Sequence, residues 1–140
     1  MASTPRERSR HEPAPIKGSR FLATLAPVHD RAQARAFVAE IEAEMPDATH
    51  HCWALRLARP SLERAVDAGE PSGSAGRPIL AAMTGRDVVD ACVVVTRYFG
   101  GTKLGVGGLV RAYGGAAAAV LDGAALVPWV DTETWTLEHG

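Results

Sequence analysis

The sequence predicts an α+β domain, a two-layer sandwich of helices on a mixed β-sheet. Three observations predict it. Strand-like and helix-like segments interleave in the order β-α-β-(β)-α-β-α-β, which calls for helices packed on a sheet. Residues 91–96, Ala-Cys-Val-Val-Val-Thr, form an apolar run without polar alternation, as in a central strand covered on both faces. Apolar residues make up 46% of the 140 residues, enough for one core in one domain.

Residues 1–17 are polar and contain Pro5, Pro13 and Pro15. They carry too little apolar surface to offset ordering entropy and are expected to form a disordered basic arm before a folded domain over 18–140. Arg20 to Leu25 reads as a first strand, closed by Pro27. Asp30 is placed to cap a helix, with Gln33 three residues on. Ala34, Phe37, Val38, Ile41 and Met45 then recur at helical spacing, and Pro46-Asp47 stops the pattern. Residues 49–58 alternate. Trp53, Leu55 and Leu57 face one way, and His50, Cys52, Ala54 and Arg56 the other. Residues 61–66 read as a short strand or turn after Pro60.

Residues 67–76 are a loop by composition, and Ser74 is placed to cap a helix over 75–84 with Ile79, Leu80 and Met83 inside. After the central run, residues 100–108 hold five glycines, Gly100, Gly101, Gly105, Gly107 and Gly108. Leu109, Tyr113, Ala116, Ala117 and Val120 then repeat at helical spacing, with Gly114 and Gly115 letting that helix approach the sheet. Residues 126–137 read as a final strand.

The net charge of −1 gives no bulk signal for nucleic acid. The first twenty residues are the exception, with Arg6, Arg8, Arg10, Lys17 and Arg20 against Glu7 and Glu12. Such an arm either adds salt-sensitive affinity for RNA or is a solvated tail. No apolar segment follows the N-terminal arginines as in a signal peptide, and no run reaches the roughly 20 residues of a membrane helix. A cytoplasmic protein with no membrane contact is expected. Cys52 and Cys92 lie in apolar surroundings and form no C-x-x-C pair.

The glycine-rich segment is the strongest chemical signal. Glycine permits positive φ, so successive N–H groups can converge on an anion, and a helix N-terminus adds free donors. Arg97, Lys103 and Arg111 bracket it. An anion seat and a plain tight turn fit these residues equally well. The segment matches neither G-x-G-x-x-G nor a P-loop, which argues against NAD and against NTP hydrolysis. Ser72 and Ser74 do not sit in G-x-S-x-G. His50 and His51 are adjacent on a strand and point to opposite faces, so one metal cannot take both. No catalytic set, metal or cofactor is assigned.

Three segments resemble the YigZ/IMPACT family. Ala48-Thr49-His50-His51-Cys52-Trp53-Ala54 resembles its A-T-H-x-C-x-A strand. Asp67-Ala68-Gly69-Glu70-Pro71-Ser72-Gly73-Ser74-Ala75-Gly76 resembles its D-D-G-E-P-S-G-T-A-G loop. The stretch from Val94-Val95-Thr96-Arg97-Tyr98-Phe99-Gly100 to Arg111-Ala112-Tyr113 is similar to its long V-V-T-R-Y-F-G-G-x-K-L-G-x-G-G-L-x-R-A-Y signature. The resemblance spans about residues 16–125. It implies a fold like the second domain of ribosomal protein S5 and a role near translation, with nucleic acid or the ribosome as the usual suggested partner of bacterial members. His50, Asp67, Glu70, Ser72, Ser74, Tyr98 and Tyr113 are then motif positions.

Ala68 replaces an aspartate of the family pattern, and Ser74 a threonine. With the sequence read as ending at Gly140, the ferredoxin-like domain that usually follows in bacterial members is not expected. The partner-binding domain of eukaryotic members is likewise not expected.

Three readings follow. The first is a translation-associated binding domain that contacts RNA or the ribosome through Arg97, Gly100, Gly101, Lys103, Gly105, Gly107, Gly108 and Arg111. The second is an enzyme for a small anionic metabolite, with Glu70 as acid or base. The third is a protein–protein module whose partner is unknown. For Glu70 and Arg97 the alternative to all three is an internal ion pair.

Overall fold

The apolar run over 91–96 becomes the middle of a sheet. The computed structural model describes residues 1–131. In chain order it holds β1 (Ser3–Pro5), β2 (Ser9–His11), β3 (Arg20–Pro27), α1 (Arg31–Glu44), β4 (His50–Ala58), β5 (Ser61–Val66), α2 (Gly76–Gly85), β6 (Ala91–Tyr98), α3 (Gly105–Asp122) and β7 (Leu126–Pro128). Five strands form one sheet in the order β2-β3-β6-β4-β5. Seven of the eight residues of β6 are buried, as a strand covered on both faces requires.

The sheet is antiparallel at every ladder rather than mixed. β3 and β4, joined through α1, run in the same direction but are not neighbours. β6 inserts between them and opposes both, a split β-α-β arrangement. Helices cover both faces of this sheet, so the sandwich gains a layer beyond the two expected. α1 packs Phe37, Val38 and Ile41 on Leu55, Leu57, Cys92 and Val94. On the opposite face α2 and α3 pack Ile79, Met83, Leu109 and Tyr113 on Phe21, Leu25, Cys52, Ala54, Val93 and Val95. The alternation along β4 is thus divided between the two cores as its sequence pattern requires.

α1 starts where Asp30 predicts. The Gln33 N–H donates to Asp30 Oδ1 at 2.8 Å, and the Gln33 side chain accepts from the His29 N–H at 2.7 Å. The glycine pair of α3 acts differently from expectation. A side chain at Gly114 would meet Pro78 of α2 at 3.5 Å, and one at Gly115 would meet nothing within 4 Å. The close approach is therefore helix to helix.

Residues 1–17, expected to be disordered, are ordered in two places. β2 pairs with the outer edge of β3, from Ser9 opposite Leu25 to His11 opposite Ala23. β1 pairs antiparallel with β7, from Ser3 opposite Pro128 to Pro5 opposite Leu126. Main-chain ladders need no apolar side chains, which is why composition hid them. Two of the three arginines of this segment are also committed. Arg8 pairs with Glu40 at 2.7 Å and lies over the Phe37 ring, and Arg10 pairs with Glu44 at 2.5 Å. β7 falls inside the predicted final strand but ends at Pro128, residues 129–131 being irregular; the rest of that prediction, with Thr132, Thr134 and Thr136, lies outside the described residues.

Candidate functional site

The loop between β5 and α2 is organised by one carboxylate. Asp67 accepts from the main-chain N–H groups of Gly73 at 2.9 Å, Ala75 at 3.1 Å and Gly76 at 2.9 Å. Burial disfavours its charge, but those donors, together with Arg77, outweigh burial and hold the carboxyl below its ordinary range. Asp67 therefore caps α2 from eight residues upstream of Ala75. Ser74, the predicted cap, makes no such bond to α2; it is fully buried and its hydroxyl donates to the Pro71 carbonyl at 2.6 Å. Gly76 is required by contact, because a Cβ there would sit 2.4 Å from the Val66 nitrogen. Ala68 adopts φ 47°, a left-handed conformation that costs a side-chain residue about 1–2 kcal/mol.

The loop delivers Glu70 into the α2/α3 side of the sheet. Its side chain is 4% exposed and meets residues of three elements at once. Arg97 of β6 donates through one guanidinium nitrogen to both carboxylate oxygens, at 2.8 and 3.1 Å. Tyr113 of α3 donates to Oε2 at 2.5 Å. His50 of β4 places Nε2 at 3.5 Å from Oε1, while its Nδ1–H donates to the Ala68 carbonyl at 2.9 Å. Burial, reinforced by Cys52 and Glu70, pushes the Tyr113 hydroxyl far above its ordinary range, so it remains a donor. Cys52, buried beside it, is pushed up to about 12 by burial and donates to the Asp67 carbonyl at 3.0 Å.

Arg97 is itself 5% exposed, its guanidinium lying 5.7 Å from the Phe21 ring centroid and 5.4 Å from that of Phe99. The pair with Glu70 is thus internal. Removing either member would strand a buried charge, at a cost of about 3–5 kcal/mol. His51 points to the opposite face, where its Nε2–H donates to the Met45 carbonyl and Nδ1 meets the Thr96 hydroxyl.

Beyond β6 the chain is pinned and then released. The Phe99 N–H donates to Thr49 Oγ1 and the Gly100 N–H to Ser19 Oγ, both at 3.0 Å. Gly100 packs directly on the Gly18-Ser19 turn, where a Cβ would lie 2.0 Å from the Gly18 carbonyl carbon. From Gly101 to Leu104, the main-chain N–H groups meet no acceptor among the described residues. α3 begins at Gly105, so Gly105, Gly107 and Gly108 form its first turn rather than a loop. Leu104, at the N-cap, supplies no side-chain acceptor, leaving the first-turn donors of an 18-residue helix uncapped. Lys103 and Arg111 are exposed and, among the described residues, take part in no salt bridge.

A cavity of about 430 Å³ opens here. Its floor is His50, Glu70 and Arg97. Its walls are Phe99, Leu104, Val106 and Leu109, and Lys103 stands at its edge. Of the residues singled out from the sequence, His50, Glu70, Arg97, Lys103 and Gly105 line this one cavity, and Tyr113 lies beneath it on Glu70. Gly100, Gly101, Gly107, Gly108 and Arg111 lie on the adjoining loop and helix. Asp67 and Ser74 hold the loop that carries Glu70, and Ser72 is exposed on it. Tyr98 lies elsewhere, on the α1 side, bonded to Asp47 and stacked under Arg20. Sequence reasoning missed Ser19 and Thr49, whose hydroxyls fix residues 99 and 100, and Phe99 and Val106, which are large, apolar and 47% and 56% exposed. Two exposed apolar residues beside a glycine-rich run were the available signal.

The model of the Impact N-terminal domain matches residues 17–121. The chain belongs to that family. Curated IMPACT members share 47% identity over 109 residues in Haemophilus influenzae and 46% over 109 residues in Escherichia coli, where the relative is YigZ. Each alignment covers 76% of this chain and 53% of the relative. The chain thus spans about half the length of these relatives. A crystal structure of a hypothetical protein superposes with a TM-score of 0.84 at 40% identity, covering 91% of this chain and 64% of that one. The two-domain translational regulator Yih1 superposes with a TM-score of 0.52 at 26% identity, covering 88% and 47%. In this IMPACT domain, no described helix is long and apolar enough to cross a membrane.

Proposed function

We propose that this IMPACT domain is a translation-linked binding domain that contacts RNA phosphates where β6 hands over to α3. The observation that carries this reading is the run of solvent-facing N–H groups from Gly101 to Leu104 that meet no acceptor among the described residues, followed by the uncapped first turn of α3. Such donors suit phosphate oxygen, and the dipole of a long helix adds to them. Lys103 and Arg111 reinforce the preference. The likeness to Yih1, a translational regulator, supports the translational setting.

Many other cations are committed elsewhere. Arg8, Arg10, Arg20, Arg56, Arg86 and Arg97 each face a carboxylate. The N-terminal arm therefore spends much of its charge on α1 and Glu12, and Arg97 spends its own on Glu70. Among the cations without a carboxylate partner, Lys103 lies on the loop that carries the 101–104 amides and Arg111 on the helix that follows, and these are the residues to test. Single-stranded RNA binding measured across a salt series should give a log–log slope of about −0.7 per phosphate neutralised. Lys103→Ala and Arg111→Ala should each weaken binding and flatten the slope by about that amount. Unchanged affinity and slope in both variants would sink the reading.

A further inference from the structure

The cavity beside the loop is not itself a phosphate site. Its floor carries the Glu70 carboxylate, and its walls are Phe99, Leu104, Val106 and Leu109. Arg97 pairs with that carboxylate, so the floor offers an anion no uncompensated positive charge, and the walls offer it nothing. A flat, uncharged ring gains from both: apolar surface to cover, and polar groups beneath it for the ring edge. Phe99 supports this most directly. Its ring rests against the Arg97 guanidinium at 5.4 Å, yet the residue is 47% exposed, far more than a large aromatic packed into a core. Arg97 adds a second observation. Its Nε–H is buried without a partner among the described residues, and Arg97 is one of the residues that line the cavity. The volume of about 430 Å³ lies at the small end of small-molecule sites, about 300–1,000 Å³. The phosphate-seeking N–H groups of Gly101–Leu104 adjoin its edge, where Lys103 also stands.

From this juxtaposition we infer that the cavity is a nucleotide pocket, in which one base stacks on Phe99 while its phosphate lies on the Gly101–Leu104 amides. The inference rests on the phosphate-contact reading and narrows it to unpaired RNA, because a base held in a duplex cannot enter the cavity. Stacking on an aromatic side chain tolerates any base, so the pocket selects strandedness rather than sequence. The same chemistry is offered by a residue within a strand or by a free mononucleotide.

The test uses the full chain with a fluorescein-labelled octamer of adenylate, the same octamer in a duplex, and AMP as competitor. Phe99→Ala should weaken octamer binding about 5- to 150-fold, the range for loss of one base–aromatic stack. Phe99→Tyr should restore it, and neither variant should change the salt slope. The duplex should bind more weakly than the single strand. Competition by AMP alone, in the micromolar to millimolar range, would identify the free nucleotide as sufficient. Circular dichroism of each variant separates lost stacking from lost folding.

If Phe99→Ala binds as the wild type does while Lys103→Ala does not, the phosphate reading stands and the pocket is overturned. If AMP binds in a Phe99-dependent way and RNA does not, the pocket stands and the RNA reading falls. If neither ligand binds, both are overturned.

Discussion

Replacing Asp67 by alanine removes the acceptor of three main-chain N–H groups at once. Ala75 and Gly76 are buried, so two of those donors would be left without protein or solvent, at about 1–3 kcal/mol each. The Gly73 amide is half-buried and recovers part of its bond from water. The expected loss is about 2–6 kcal/mol, above the ~1 kcal/mol of an ordinary N-cap because this acceptor serves a loop as well as a helix. With a urea dependence of about 2 kcal/mol/M, the unfolding midpoint should fall by about 1–3 M.

Asp67→Asn keeps one acceptor oxygen without the charge and should lose about half as much. The sign of the pH dependence follows from the same contacts. The folded carboxyl lies below its ordinary value of 3.8, so its contribution is complete above that value and is lost as pH falls through the folded one. Wild-type stability should therefore drop more steeply than that of Asp67→Asn below about pH 4. Urea unfolding followed by circular dichroism checks both points. A loss under about 0.5 kcal/mol in Asp67→Ala would refute the argument, since the loop would then be holding itself.

Further outcomes are expected around the same loop. Gly76→Ala drives a Cβ to 2.4 Å from main chain that cannot rotate away, and should cost about 3 kcal/mol or leave little folded protein in a soluble-expression assay. Ala68→Gly relieves a φ of 47° at some cost in unfolded-chain entropy, and should raise stability by about 0.5 kcal/mol in the same urea titration. Tyr113→Phe removes the 2.5 Å bond to a buried carboxylate and should cost about 2 kcal/mol. Cys52 and Cys92 are both pushed up to about 12 by burial, so a thiol reagent at neutral pH should find neither in the native protein and both after denaturation.

The central strand, the capping of α1 and the two faces of β4 were legible because each is written in a local pattern: an uninterrupted apolar run, Asp30 with Gln33, and alternation. The site was legible only in part. His50, Glu70, Arg97 and Tyr113 were each singled out, but nothing local says that one carboxylate gathers all three partners, because they come from three different elements. The start of α3 was placed too late because glycines weaken a helix signal, and here they occupy its first turn. The cap of α2 was assigned to the adjacent serine, whereas the acceptor arrives from Asp67, across a loop. The order within residues 1–17 was hidden because it rests on main-chain pairing and on ion pairs with α1 and Glu12.

The ladder between β1 and β7 lies wholly outside the stretch that matches the family, residues 17–121. It joins two extensions more than a hundred positions apart in the chain, and among the described residues each is the other's ladder partner in a two-stranded sheet. A change to either flank is therefore felt by both. Trimming the first six residues would uncover the hydrogen-bonding edge of 126–128, so a truncated version gains a sticky strand as well as losing length.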